Sequence, residues 1–235
     1  MHKRIKLIPL LALSSACVFG QIANADASWP ELFKEAAIPK ADVTPLSVSY
    51  VTEITQIGDG DWGKLTYKTK SHPQTGITID VETYPNKGDK EEIVSELSSD
   101  EDADIWCDDY QDIVGGPVEL ESETDAYAIY SFAANAETAE DKQEKKILSK
   151  TKVTVIVDKQ LKEVTSFNYV LTEPVKPMMI AKINTFDLEG RCTSHDNGRP
   201  IVTQISTKVS GKAMGQSFDQ DSLQIFTNFS IEAPQ

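Results

Sequence analysis

Histidine, cysteine and clustered aspartate are the residue types in this sequence best suited to catalysis or metal binding. Beyond the N-terminal segment the histidines are His72 and His195, and Asp196 follows His195 in a polar turn. A nucleophile needs a base and a group that orients it, yet there is no Gly-x-Ser-x-Gly elbow and no His-Glu-x-x-His motif. We therefore predict that the protein is not an enzyme and needs no cofactor. A hydrolase that uses His195 and Asp196 is the weakest alternative.

The segment 100–112 is the most acidic part of the chain. Aspartates occupy the first, third and fifth positions of an EF-hand loop that would begin at Asp100. Ile105 stands where the loop needs glycine, and Gln111 stands where it needs a bidentate glutamate. We predict no metal site and interpret the segment as a solvated acidic face. A weak, irregular calcium site is the alternative.

Residues 1–25 have the three parts of a secretory signal. Basic residues precede an apolar run over 7–20, and Ala23-Asn24-Ala25 supplies small residues for cleavage. Cleavage after Ala27 is an equally formal possibility, and a lipid on Cys17 would require a poorly matched lipobox. The apolar run is too short to span a bilayer comfortably. We predict export to the periplasm or beyond, with no transmembrane segment in the mature chain.

The predicted mature chain is strongly acidic. Residues 1–25 contain three of the 23 Lys and Arg residues and none of the 37 Asp and Glu residues, so 20 bases face 37 acids and the net charge is −17. A nucleic acid or an anionic lipid surface would repel such a chain at long range. We therefore predict no nucleic-acid partner.

Cys107 and Cys192 are the two cysteines that remain after export. An even pair in an oxidising compartment most simply forms a disulfide, and no Cys-x-x-Cys spacing indicates a redox site. We predict a bond that ties the acidic segment to the strands that follow it. A reactive thiol is the alternative.

Alternation of apolar and polar residues indicates a mainly β fold, and the stretch 150–229 dominates it. From Ile201 to Val209 the odd-numbered residues are predicted to lie on one face of a strand. Pro174 and Pro177 should forbid regular strand pairing in the stretch that contains them. The other predicted strands lie within 46–55, 65–69, 77–81, 127–132, 153–157, 164–171, 180–188 and 223–231, with a bulge between Val164 and Phe167.

Helices are few in this interpretation. Residues 29–37 should form a short helix capped by Ser28, with Pro39 ending it. A second, interrupted helix is predicted within 90–110, and 136–146 is a solvated loop or an exposed helical turn. No Gly/Ser-rich or Pro-rich linker divides the chain. We therefore predict a single mainly β domain over 28–235 after the signal.

Aromatic and methionine side chains are the candidate ligand-binding residues. A curved antiparallel sheet covered by one or two helices often leaves a cavity on its concave face, and flexible methionines beside prolines suit its mouth. Some of these side chains are ordinary core residues in any fold. The predicted lining residues are Tyr127, Tyr130, Phe132, Phe167, Tyr169, Met178, Met179 and Phe186.

The strand pattern over 46–229 resembles the exported LolA-like group of lipoprotein-localisation carriers and their relatives. The resemblance rests on the Val157-Asp158-Lys159 turn, the Pro174/Pro177 break and the closing run Leu223 to Phe229. It implies an α+β, mainly β fold, in which an incomplete barrel of about eight antiparallel strands is covered by a few helices. It also implies a periplasmic carrier or sensor of acyl chains. The acidic segment and the inferred disulfide depart from that family.

Two functional hypotheses follow. The first is a non-enzymatic exported protein that binds an apolar ligand, such as a lipid, or a lipidated partner in the concavity of the sheet. The second is an envelope interaction or structural protein with a filled core and an acidic partner-binding surface. An exposed apolar groove on the sheet would distinguish the first from the second.

Overall fold

The structure is a computed structural model, and it describes residues 28–39, 47–58, 64–72, 76–84, 105–196 and 199–232. The predicted signal and both cleavage sites lie outside these ranges. So do the aspartates of the EF-hand-like segment and most of the helix predicted within 90–110.

Eleven strands within the described ranges form one open antiparallel sheet that does not close into a barrel. The predicted mainly β fold is therefore confirmed, although the sheet has eleven strands and not about eight. The strands are β1 (Ser47–Gly58), β2 (Lys64–His72), β3 (Gly76–Thr83), β4 (Glu119–Glu123), β5 (Tyr127–Ala133), β6 (Thr151–Asp158), β7 (Glu163–Leu171), β8 (Val175–Met178), β9 (Ala181–Ser194), β10 (Pro200–Ala213) and β11 (Gln216–Glu232).

The strand order across the sheet is β3-β2-β1-β11-β10-β9-β7-β6-β5-β4, and β8 pairs with β9 beyond the end of β7. Most strands that pair in the sheet are also consecutive along the chain. These pairs are β1–β2, β2–β3, β4–β5, β5–β6, β6–β7, β9–β10 and β10–β11. The pairing of β1 with β11 is the long-range contact that unites the first three strands with the rest.

Two strands were missed because neither has the alternation on which the prediction relied. Strand β4 is exposed along its whole length and contains Glu119, Glu121 and Glu123. Strand β8 contains Pro177, and its register with β9 is irregular. The prediction that the prolines forbid regular pairing is therefore confirmed, and β8 is an irregular edge segment of the kind that tolerates proline.

The prediction for β10 was correct in part. A bulge at Thr203 shifts the register between Val202 and Gln204. Alternation holds from Ile205 to Val209, but Ile201 and Val202 are both buried, in different clusters. The predicted bulge in β7 is confirmed, since Val157 pairs with Val164 whereas Ile156 pairs with Ser166.

Two short helices lie within the described residues: α1 (Glu31–Ala37) and α2 (Lys142–Leu148). Helix α1 was predicted, but Pro30 occupies its N-cap position and no side chain caps it, so the cap assigned to Ser28 was wrong. Helix α2 is capped at its N-terminus by Asp141, whose carboxylate accepts hydrogen bonds from the amides of Gln143 and Glu144.

One face of the sheet, called here the inner face, carries the main core. Helix α1 packs on β6 and β7, and the ring of Phe33 is fully buried. Its centroid lies 5.4 Å from that of Tyr130 and 5.6 Å from that of Phe132. Beneath the helix, Val153, Val155 and Val157 are completely buried. The predicted alternation of β6 therefore points its valines at α1.

Candidate ligand-binding face

Two rows of side chains cross the middle of the inner face, between the parts covered by α1 and α2. In the first row, Tyr169 of β7 faces Leu188 of β9, which faces Thr207 of β10. In the second row, Phe167 faces Gly190, which faces Ile205. These six residues, Phe167, Tyr169, Leu188, Gly190, Ile205 and Thr207, together with Phe226 of β11, are called the central patch.

The central patch is partly open to solvent. Phe167, Tyr169, Leu188, Ile205 and Phe226 are each half-buried, in contrast with the valines beneath α1. Helix α1 lies on β6 and β7, and α2 lies on β8. The patch is therefore an apolar surface at the edge of two covered clusters.

A glycine shapes this surface. A Cβ atom built on Gly190 would lie 2.0 Å from Cζ of Phe167, so the Phe167 ring rests directly on the glycine backbone. The same ring meets Tyr169 edge-on, with 5.8 Å between the centroids. Gly190 thus fixes how far the Phe167 ring projects from the sheet.

The patch becomes polar toward β1. Thr207 faces Ser222 of β11, which faces Gln56 of β1. The amide oxygen Oε1 of Gln56 is buried and has no hydrogen-bond partner. In the next row Ile205 faces Gln224. The inner face therefore offers apolar contacts on β7 and β9 and hydrogen-bonding groups on β11 and β1, which suits an amphipathic ligand.

The structure places the eight predicted lining residues in different surroundings. Phe167 and Tyr169 belong to the central patch. Tyr130 and Phe132 lie on the same face but are buried beneath α1, and Phe186 is buried in the cluster that contains Ile147 of α2. The other three lie apart from the patch. They are Tyr127, whose neighbour Ala128 is the one that points to the core, Met178 at the end of β8, and Met179, which is 100% exposed.

Burial raises the pKa of Tyr130, and the negative charge of Glu123 adds to the shift. The phenol is therefore neutral at physiological pH. It supplies ring surface to the α1 cluster and not charge.

Sequence reasoning missed Leu188, Ile205 and Phe226 as members of one surface. Their strands were predicted, but β7, β9, β10 and β11 come together only through pairings that the sequence pattern does not specify. The alternation of β10 placed Ile205 and Thr207 on one face, and this was the available signal.

A buried ion pair closes one end of the inner face. Arg199 donates from Nε to Oδ2 of Asp108 at 2.8 Å and from a terminal nitrogen to Oδ1 at 2.5 Å. The guanidinium carbon lies 4.0 Å from the Trp106 ring centroid. Next to this pair, the predicted disulfide between Cys107 and Cys192 is formed. Together these contacts hold the segment 105–110 on β9 and β10.

The neighbouring Asp109 is less well accommodated. Burial raises its pKa, and the carboxylates of Asp108 and Asp112 raise it further, whereas Arg199 and a hydrogen bond from the Gln111 backbone oppose the shift. The described part of the acidic segment therefore contains one carboxylate that is costly to ionise.

The other chemical candidates do not gather around the patch. His195 follows β9 and His72 ends β2, so β1, β11 and β10 lie between their strands. Among the described side chains, no group of three or more His, Cys, Asp or Glu residues is arranged to hold a metal ion. The described helices also include none with the length and apolar character needed to cross a membrane.

Comparison with known proteins gives similarity at the level of structure alone. No family model matches the sequence, and no curated protein matches it. The chain is similar to the LolA superfamily protein NE2245 from Nitrosomonas europaea, with a TM-score of 0.42 and 10% identity over 87% of this chain and 92% of that one. A weaker similarity, with a TM-score of 0.16 and 7% identity, links 80% of this chain to 94% of a chain in the complex of MucB with MucA(peri). The first of these structures bears the name of the group that the strand pattern resembles.

Proposed function

We propose that this protein is a non-enzymatic, exported periplasmic carrier or sensor that holds the apolar part of a lipid or of a lipidated partner on the central patch. The observation that carries the proposal is the row of half-buried apolar side chains in the middle of the inner face, bordered by buried clusters under α1 and α2. The disulfide supports an oxidising compartment.

The dimensions and chemistry of the patch suit an acyl chain. From β7 to β11 the surface crosses three inter-strand spacings, which is about 14 Å. Each methylene removed from water contributes roughly 0.8 kcal/mol. Ser222, Gln224 and Gln56 then offer hydrogen bonds to a polar group at the end of the chain.

Of the predicted lining residues, Phe167 and Tyr169 would contact the ligand directly. Tyr130, Phe132 and Phe186 are covered by the two helices and would form the walls on either side of the site. The ligand would thus be bound by shape and apolar contact, with no reacting group required.

The decisive experiment is native mass spectrometry of the protein purified from its own envelope, before and after organic extraction. We expect an adduct of lipid mass that extraction removes. A bare mass before extraction would contradict tight lipid binding and direct attention to a protein partner.

A pair of variants tests the location of the site. Leu188→Glu places a carboxylate in the middle of the patch, and we expect it to abolish the adduct or to weaken binding of a fatty-acid probe at least tenfold, because the site loses about 1.5–3 kcal/mol of apolar contact. Val170→Glu is the matched control, because Val170 is 37% exposed and its neighbour Tyr169 is the one on the inner face. Equal losses in both variants would place the ligand elsewhere.

A further inference from the structure

Two neighbouring turns form an exposed apolar tip at one end of the sheet. The β8–β9 turn contains Met179, which is 100% exposed, and Ile180, which is 58% exposed. The β10–β11 turn contains Met214, which is 60% exposed. The Met214 amide donates a hydrogen bond to the Ile180 carbonyl at 2.8 Å, so the two turns are held side by side.

The backbone at Met214 is unusual for its residue type. Met214 has φ of 51° and Gly215 has φ of 84°, so the two-residue turn is of type I′. Asparagine or glycine is the common choice at the first position, and a side chain such as methionine costs roughly 1–2 kcal/mol there. Neither turn formation nor burial therefore accounts for methionine at this position.

Cations without acidic partners surround the tip. Lys182 of β9 lies directly opposite Lys212 of β10, an arrangement of like charges that destabilises a strand pair, and Lys176 precedes the β8–β9 turn. Within the described part of the chain, none of these three lysines forms an ion pair. Lys146 of α2 donates to the Pro177 carbonyl, which brings a fourth cation to the start of the turn.

The opposite end of the sheet shows the contrast. Leu161 in the β6–β7 turn is 56% exposed and also lies between lysines. There, however, Lys159 contacts Glu123 at 3.2 Å and Lys162 contacts Glu35 at 2.9 Å. An exposed apolar side chain with unpaired cations around it is therefore a feature of the β8–β11 end.

We propose that this tip, formed by Met179, Ile180 and Met214, inserts into the interface of an anionic lipid bilayer while Lys176, Lys182 and Lys212 contact its headgroups. Apolar side chains ringed by cations are the pattern of interfacial membrane binding. The negative charge of the whole protein does not prevent this contact, because the Debye length of about 8 Å at physiological ionic strength screens charges farther away. The docking surface is separate from the central patch.

Flotation with vesicles tests the proposal. We expect the protein to bind vesicles of phosphatidylethanolamine with phosphatidylglycerol more tightly than vesicles of phosphatidylcholine. The combined variant Met179→Gln, Ile180→Thr, Met214→Asn should reduce this binding at least tenfold. Because asparagine is favoured at the first position of a type I′ turn, Met214→Asn keeps the fold. Lys176→Gln, Lys182→Gln and Lys212→Gln should each reduce binding to the anionic vesicles by about fivefold.

Leu161→Gln is the matched control and should leave vesicle binding unchanged. An unaltered protein that fails to float with anionic vesicles at low salt would overturn the proposal, as would equal binding by the combined variant. A dimer that forms without vesicles and is lost in that variant would also overturn it and assign the tip to a second copy. Leu188→Glu should float normally, so loss of ligand binding and loss of membrane binding are distinguishable.

Discussion

Among the ion pairs of the described residues, the pair of Arg199 with Asp108 is the least exposed to solvent. The two side chains are only 12% and 10% exposed. Removal of one partner leaves a buried charge, so we expect Arg199→Ala to lower the free energy of unfolding by about 3–5 kcal/mol. Arg199→Lys should recover part of that loss, because lysine keeps the charge but not the fork or the stacking on Trp106.

Urea denaturation monitored by tryptophan fluorescence measures these effects. Lys162→Ala is the control, since Lys162 and Glu35 are 55% and 40% exposed and such a pair contributes about 0–1 kcal/mol. If Arg199→Ala unfolds no more easily than this control, the pair does not stabilise the segment 105–110.

The raised pKa of Asp109 predicts a pH-dependent effect. A carboxyl group whose pKa is higher in the folded than in the unfolded protein favours folding at low pH, and that contribution is lost as pH rises through the folded-state pKa. Asp109→Asn should therefore stabilise the protein at pH 7 and give no gain below the ordinary pKa of 3.8. Unfolding curves at several pH values test this, and a gain of the same size at all pH values would contradict it.

At the level of the strands, Gly190 and Phe167 depend on each other. Since a Cβ on Gly190 would overlap the Phe167 ring, Gly190→Ala should push the ring outward and cost about 1–3 kcal/mol of stability. Phe167→Leu in the same chain should recover part of the loss, which a double-mutant cycle measures. Gly116→Ala is the control, because no atom lies within 4 Å of the position that its Cβ would occupy. Additive losses in the double variant would exclude the coupling.

The disulfide acts between elements that are distant in sequence. It closes a separation of 85 residues, for which the chain-entropy model gives about 4.5 kcal/mol. The double variant Cys107→Ser, Cys192→Ser should unfold at correspondingly lower urea concentration, and reductant should shift the unaltered protein in the same direction. If neither the double variant nor reductant lowers the urea concentration at which the protein unfolds, Arg199 and Trp106 alone secure the segment.

Local pattern predicted most strands and α1, because alternation and turn residues act over a few positions. It failed at β4, where Glu119 to Glu123 gives no alternation, and at Thr203, where a bulge moves Val202 into the core. The central patch required pairings such as Leu188 with Thr207, which are set by the assembled sheet. The aromatic residues alone did not reveal it, since Tyr130 and Phe132 proved to be covered by Phe33.

For the whole molecule, the open sheet leaves β4 as an outer strand. Its glutamates discourage pairing with another chain, a common protection of exposed edges. Glu119→Val with Glu123→Val should therefore produce concentration-dependent association in sedimentation experiments. Glu189→Val with Asp221→Val removes the same charge from strands that have neighbours on both sides, and it should stay dispersed. Association in both variants would indicate an effect of net charge alone.

The place of β11 in the sheet bears on how the protein is made. This strand of 17 residues lies between β1 and β10, yet it is the last described strand along the chain. During synthesis, strands β1–β3 and strands β4–β10 emerge first, and the strand that pairs with both β1 and β10 is still missing. The two parts can join into one sheet only when β11 arrives, so a ribosome that stalls before Gln216 would release two unfinished sheets with open edges.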